Sequence, residues 1–600
     1  MQNLRSNSPL EPVQYSWNVI FALAWEHKKV LLIGHLIAIL AALVMIPIPL
    51  LMPLLVDEVL LNRPDHLVAA VHWLLPANWH GPVLVIVLVM LLTILLRVAG
   101  VLFSVLQTRQ FSLVAKDICF RIRQDIIANL RKVSMKEYET LGSGVVASHM
   151  VTDVQAVDDF ITNSLSRFIV AVLTIIGVAA VLLYMQWQLA LFILFMNPLV
   201  IFFTMLLGKK VKQLKAKENK AFEIFQQTLN ETMDAIQQIR TSNRERHYLK
   251  QLLDKAQDIK THSAAYSWRS DAANRLSFLV FLLGFEVFRA VSMVLVLISE
   301  LTLGQMFAVY AYLWFMMTPV QDILGVQYSA YSAKASLKRI NRLLTLEHEP
   351  DYPALVNPFI NKQTVSVQLE SLHFRYGDEA ILNGVSLQIK EAEKVAFVGA
   401  SGGGKSTLVQ VILGLYQPQK GRVCFDHVAV SEIGLDVVRE NVATVLQQPV
   451  LLNGSIRENL GMGLSYPDDA IWQALNIAQL DDYVKSLGDQ LETIVGRNGV
   501  RLSGGQRQRL AIARMILSKP KVVILDEATS ALDSETEARL HQAMQAFLQQ
   551  RTTIIIAHRL SAVRQADKVF VFDNGQIIDE GHHNELIGRD GLYKELYAKH

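Results

Sequence analysis

The sequence predicts two fused fold classes. The first is a six-helix transmembrane α-bundle with long cytoplasmic helical extensions, and the second is an α/β domain built to bind phosphate. Three observations carry this reading. Long charge-free apolar runs crowd the first half of the 600-residue chain, although 18% of all residues are charged. The second half has the composition of a water-exposed α/β protein. Between an apolar strand pattern, Val395–Val398, and a helical pattern, Leu408–Leu415, lies the glycine-rich stretch Gly399–Thr407, GASGGGKST.

The membrane half divides at its charges. Val30–Val56 is apolar apart from His35 and carries Pro47, Pro49 and Pro53 near its far end, where a kink is tolerable. Val83–Leu106 is a second span, interrupted by Arg97. Phe168–Gly208 holds no charged residue. At 1.5 Å per residue it would be about 60 Å of helix, twice the roughly 30 Å of hydrocarbon, so it must cross twice. The turn is expected at Gln186-Trp187-Gln188. Leu276–Ser299 and Met306–Ile323 complete six spans.

Lysine and arginine set the orientation. They crowd the segments after spans 2, 4 and 6, whereas the alternate loops carry only Arg63. Both termini and the phosphate-binding half are therefore predicted on the cytoplasmic side. Trp17, Ile20, Phe21 and Ala24 recur at helical spacing before Lys28 and Lys29, which predicts an amphipathic helix near 15–28 on the inner membrane surface. No cleavable signal pattern is visible. A formal net charge of +3 gives no reason to expect nucleic acid as a partner. Cys119 and Cys424 are too far apart in sequence to suggest a metal or redox motif.

The strand–glycine loop–helix order of Gly399–Thr407 fits a phosphate-binding loop. Gly399, Ser401, Gly402, Gly403 and Gly404 let backbone N–H groups curl round phosphates, Lys405 reaches the terminal phosphates, and Ser406, followed by Thr407, is placed to ligate Mg²⁺. Further on come Leu502-Ser503-Gly504-Gly505-Gln506, the apolar strand Val522–Leu525 ending in Asp526 and Glu527, Ser530–Asp533, and Ile554–Ala557 ending in His558. A carboxylate at the end of a buried strand is costly without a compensating cation, which points Asp526 at Mg²⁺ and leaves Glu527 to polarise water.

This ordered set, from about Val365 to the C-terminus, resembles the ATPase domain of ATP-binding cassette (ABC) transporters, in which LSGGQ is the signature motif. The resemblance implies ATP and Mg²⁺ as ligands. Tyr376 would stack on adenine, and Gln447, next to Gln448, would contact Mg²⁺ and water. His558 would touch the γ-phosphate. Ser503, Gly504, Gly505 and Gln506 would grip ATP held by the phosphate loop of a second subunit, with Asp533 supporting that interface. One chain has one such domain, so a homodimer with two intact sites is expected.

The long cytoplasmic extensions, the segment Gly144–Asp153, Trp187-Gln188-Leu189 and Thr302-Leu303-Gly304 resemble the exporter-type membrane domain of the same family. His149 stands where that family often has Arg, and Arg497 stands where its exporters commonly have an acid. The expected organisation is a membrane domain over 1–345, a proline-bearing linker over 346–364 and an ATPase domain over 365–600. Arg97, Glu286 and Arg289 are charges inside spans and are candidates for a substrate cavity, because intramembrane charges usually face a cavity or pair. The expected activity is ATP-driven export of an amphipathic compound (lipid, lipopeptide, peptide or drug-like) across a bacterial inner membrane by alternating access. The alternatives are an importer on the same fold and an ATP-gated channel or receptor.

Overall fold

The computed structural model describes residues 14–61, 81–141, 143–298, 301–400, 402–557 and 559–597. The chain forms two compact units: Met1–Arg131 with Gly142–Thr345, and Lys132–Leu141 with Leu346–His600.

In the first unit, α1 (Trp17–Glu26) starts at Ser16, whose hydroxyl accepts the Val19 N–H, and ends at His27. It is a helix separate from α2 (Lys28–Met45), as its amphipathic pattern predicts. Its Ile20 is buried while Phe21 and Trp25 are exposed. The Tyr15 hydroxyl donates to Asp125 at 2.6 Å, and His27 and Glu26 pair with Asp117 and Arg121, which pins this segment to α3 (Pro82–Leu130). Beyond α2 the proline-rich stretch tightens into a 3₁₀ turn at Ile48–Leu50, since proline removes a helical donor, and then widens into π-helical turns over Leu54–Leu60. Asp57 accepts bonds there from Thr302 Oγ1 and the Gly304 N–H.

A short helix of the second unit, α4 (Met135–Leu141), follows α3 in the chain. Then come α5 (Ser166–Met185), α6 (Trp187–Asp234), α7 (Glu245–Ile298) and α8 (Leu303–Leu344). The break between α5 and α6 is Gln186 in extended conformation, at the predicted turn. Thr302 caps α8 in a reciprocal box with Gln305. Tyr312, Phe288 and Val178 are wholly buried at the centre of the helix packing. Four helical stretches among the described residues are long and apolar enough to cross a membrane: Lys28–Leu60, Pro82–Leu130, Gly144–Met185 and Glu245–Ile298. The other two expected spans fall on α6, part of whose apolar half lies outside the described side chains, and on α8.

The second unit holds two sheets. One joins β1 (Val367–Tyr376), β2 (Glu379–Ile389), β4 (Lys420–Phe425) and β5 (Val428–Ala429), antiparallel in the order β2-β1-β4-β5. The other contains β3 (Lys394–Gly399), β6 (Val442–Val445), β7 (Val522–Asp526), β8 (Thr552–Ile556), β9 (Lys568–Asp573) and β10 (Gln576–Gly581), in the order β10-β9-β3-β8-β7-β6. Its strands from β9 to β6 run parallel. They read as continuous apolar runs because both faces are covered. The helices that frame the site are α9 (Lys405–Ile412), α10 (Gly504–Leu517) and α11 (Ser534–Leu548). Both cysteines are buried and unpaired. The stretch after Thr345 has little regular structure but is fastened to this unit, with Glu349 held bidentately by Arg439 and Leu355 N–H bound to Glu432 O.

Candidate nucleotide site

The parallel order brings the carboxyl ends of β3, β8, β7 and β6 to one edge, where ligands of open α/β sheets bind. At the end of β3, Gly399 has φ +143°, and a Cβ there would meet the Phe572 carbonyl oxygen at 2.1 Å. Gly404, φ +94°, opens α9 in a left-handed conformation. No other residue type suits these two positions without strain, so glycine is what lets the chain turn here. Lys405 is 5% exposed, and its Nζ donates to the carbonyls of Gly399 and Ala400 at 2.9 and 2.8 Å. Burial pulls its pKa down, and the nearby charges of Glu527 and Asp526 oppose that pull. Ser406 is exposed on the first turn of α9 and Thr407 is half-buried. Ser401 lies outside the described residues.

β7 is buried from Val522 to Leu525 and surfaces at Asp526. Glu527 follows at φ +47°, a left-handed conformation that is uncommon for a glutamate. The Gln447 side-chain amide donates to Glu527 Oε2 at 2.8 Å. The loop after β6 therefore meets the second carboxylate through Gln447. His558 lies outside the described residues. The strand that leads to it, β8, is paired on both sides, by β3 and β7.

The signature motif is a helix start. Ser503 caps α10 in a reciprocal box: Ser503 Oγ accepts the Gln506 N–H at 3.2 Å, and Gln506 Oε1 accepts the Ser503 N–H at 2.7 Å. Gly504 and Gly505 press against the loop after β7. A Cβ on Gly505 would meet Leu532 at 2.9 Å, and one on Gly504 would meet Ala531 at 3.4 Å. Asp533 caps α11 by accepting the Thr536 N–H at 2.9 Å, and that bond holds its carboxyl below the usual range. Backbone at Arg497–Gly499 forms a short turn, and the Arg497 side chain lies outside the described residues.

Two groups escaped the sequence reading. Gln508 is buried, and its amide donates to Ser530 Oγ at 3.0 Å and to the carbonyl oxygens of Gln447 and Glu527 at 3.3 and 3.5 Å. Its oxygen accepts the Ala531 N–H at 3.0 Å. One side chain of α10 thus ties the loop after β6 to the loop after β7. Its signal was a lone polar residue on the helical stripe Gly504, Gln508, Ala511, Ile512 and Met515.

The other group surrounds Tyr376. That ring lies edge-on to Phe374 and Tyr416 at 4.9 and 5.3 Å, and its hydroxyl donates to Gln410 at 3.0 Å. The Tyr416 hydroxyl donates to Glu139 of α4. Burial and that carboxylate both push the Tyr416 pKa up.

The candidates inside the membrane half separate. Arg289 and Glu286 close an ion pair on their own helix at 2.5 Å. Arg97, exposed on α3, is joined to neither among the described contacts.

The donor set fits a magnesium–nucleotide complex: a glycine-rich loop opening a helix, a buried lysine, a hydroxyl on the first turn of that helix, a strand-end carboxylate at Asp526, and Glu527 beside an amide. Fold and site together define a P-loop ATPase joined to a membrane-spanning helical region. The family described as "ABC transporter" matches residues 382–530, and that described as "ABC transporter transmembrane region" matches residues 31–320. The chain belongs to the ABC transporter family, with membrane region and ATPase domain fused in one polypeptide. It is 30% identical over 520 residues to a multidrug resistance ABC transporter ATP-binding and permease protein of Lactococcus lactis subsp. lactis, covering 84% of this chain and 87% of that protein. It is also 30% identical over 497 residues to an ATP-dependent lipid A-core flippase of Chromohalobacter salexigens, covering 82% and 85% of the two chains. Its fold is similar to a solved ATP-bound bacterial Atm1-family ABC exporter, with TM-score 0.83 and 25% identity over 95% of this chain and 99% of that one.

Proposed function

We propose that two copies of this chain form an exporter with six spans per subunit, which uses ATP hydrolysis to move an amphipathic compound out across a bacterial inner membrane. The observation that carries the reading is Glu527, kept as a carboxylate on a strained turn at the sheet edge and bound by Gln447. A complete base favours repeated turnover over a one-time gate.

In this reading Lys405 and the loop amides neutralise the phosphates. Ser406, Asp526 and Gln447 would hold Mg²⁺, which supplies charge stabilisation to the phosphoryl oxygens. Glu527 accepts a proton from the attacking water, and Gln447 orients its carboxylate. His558 would contact the γ-phosphate. Ser503 with the Gly504 and Gly505 amides would complete the partner's site, and Tyr376 would carry the adenine. Support for export and for an amphipathic cargo comes from the multidrug and lipid A-core relatives and from the exporter fold. The test is ATP-dependent uptake of fluorescent phospholipid and cationic dye analogues by inside-out proteoliposomes. Uptake by the wild type and none by Glu527→Gln is expected. Uptake in the opposite direction would overturn export.

A further inference from the structure

A cavity of about 490 Å³ opens between α6 and α7, within the usual size of a small-molecule site. Lys212, Lys215 and Asn219 line it from α6, and Tyr266, Ser270 and Asn274 from α7. No carboxylate is among its described lining residues. The nearby Glu218 is buried and already satisfied, accepting from Lys215 at 2.6 Å and from Ser263 at 2.7 Å. Lys215 also sits 4.7 Å over the Tyr266 ring, and Lys212 lies 5.2 Å over that of Tyr331. Aromatic faces thus hold both ammonium groups at the cavity; Lys215 shares its charge with Glu218, and among the described residues Lys212 has a ring as its partner, so Lys212 brings the uncompensated charge.

Its depth follows from helix rise. Lys212 stands about 37 Å along α6 from Trp187, and Ser277, another lining residue, about 31 Å along α7 from Ile298. In the orientation proposed above α6 leaves the outer side at Trp187 and α7 reaches it at Ile298, and hydrocarbon is roughly 30 Å thick. By the same rise Asn219 and Tyr266 lie about 48 Å in, so the cavity begins where the inner-leaflet hydrocarbon ends, passes the headgroup layer and opens toward the cytoplasm. A cationic, hydroxyl- and amide-lined space at that level suits one chemistry: an anion attached to an apolar tail.

We propose that this cavity binds the anionic headgroup, phosphate or carboxylate, of an amphipathic molecule taken from the cytoplasmic leaflet. The inference rests on the exporter reading above and names the substrate class it implies. The cavity lies apart from the Glu286–Arg289 pair, whose charges are spent on each other.

The test uses the full-length protein in phosphatidylcholine nanodiscs without ATP. Phosphatidylglycerol is titrated in and counted by native mass spectrometry. Wild type should retain it over phosphatidylcholine, and the pair Lys212→Gln with Lys215→Gln should lose roughly tenfold in affinity. The Arg pair at the same positions should keep binding. Ser270→Trp fills the space without changing charge and should also lose it. Equal binding by wild type and the Gln pair overturns the site. Wild-type binding by Ser270→Trp overturns it too, since the lysines would then act only as surface charge. Should the Gln pair misfold, Ser270→Trp and the Arg pair decide alone. Competition by glycerol 3-phosphate at the lipid's own affinity overturns the lipid source and assigns a free phosphate. ATP-driven movement of fluorescent phosphatidylglycerol is measured separately. Binding without movement removes the export reading and leaves the site; movement unchanged in both cavity variants removes the site and leaves export.

Discussion

The Gln447 side chain donates to Glu527 at 2.8 Å, joining the loop after β6 to the second carboxylate after β7. An amide that donates there fixes which way the carboxylate faces.

Glu527→Gln should therefore keep nucleotide affinity and lower hydrolysis by about 10²–10⁴-fold, the usual contribution of a general base. Phosphate release and nucleotide binding, measured on the reconstituted protein, check this. A variant that kept a tenth of the wild-type rate would remove Glu527 from that role.

Gln508→Leu strands the polar groups that Gln508 joins on two loops. A cost of about 1–3 kcal/mol is expected for leaving buried partners unsatisfied. It should read as a lower melting temperature together with slower hydrolysis. Unchanged melting would mean that those loops find other partners.

Tyr416→Phe keeps the ring packing around Tyr376 and removes the bond to Glu139. Basal ATPase should stay within about twofold, since the lost term is one hydrogen bond, while stimulation by transported compounds should fall. Equal loss of both rates would make the hydroxyl part of nucleotide binding itself.

Ser503→Arg tests sharing between subunits. In mixed dimers, one Ser503→Arg subunit paired with one Lys405→Ala subunit has both lesions at a single shared site, which leaves the other site whole. Such dimers should hydrolyse ATP at about half the wild-type rate or below, and either homodimer should be inactive. Inactive mixed dimers with an active Ser503→Arg homodimer would contradict the shared arrangement.

Exchanging Glu286 and Arg289 should be tolerated, because the two close on each other at i,i+3 within α7. Transport and basal ATPase should persist. Selective loss of substrate stimulation would instead give the pair a role in substrate binding.

Much of this architecture was legible in the chain. A 41-residue stretch without charge, Phe168–Gly208, forced a double crossing, and the break falls at Gln186 as expected. The phosphate loop was readable because chemistry restricts its residues, and the parallel sheet then carries Asp526 and Gln447 to the same edge. Gln508 was not singled out because one glutamine on a helix stripe is spectrally silent among polar neighbours; its meaning lies in loops from elsewhere in the chain. The bond between Tyr416 and Glu139 joins residues far apart in sequence, and neither has a local pattern. The cavity between α6 and α7 depends on how two long helices pack, which periodicity does not specify.

The length of α7 has a mechanical consequence. At 1.5 Å per residue, its run from Glu245 to Ile298 is roughly 80 Å, so in the proposed orientation, with Ile298 near the outer membrane surface, Glu245 would lie about 65 Å from the bilayer midplane. Pivoted at that plane, the helix is a lever with arms in a ratio of roughly four to one. A one-degree tilt carries the inner tip about 1 Å and the outer tip about a quarter of that. In an exporter of the proposed orientation, Ångström-scale displacements at the Glu245 tip would thus be geared down at the Ile298 end, trading travel for force.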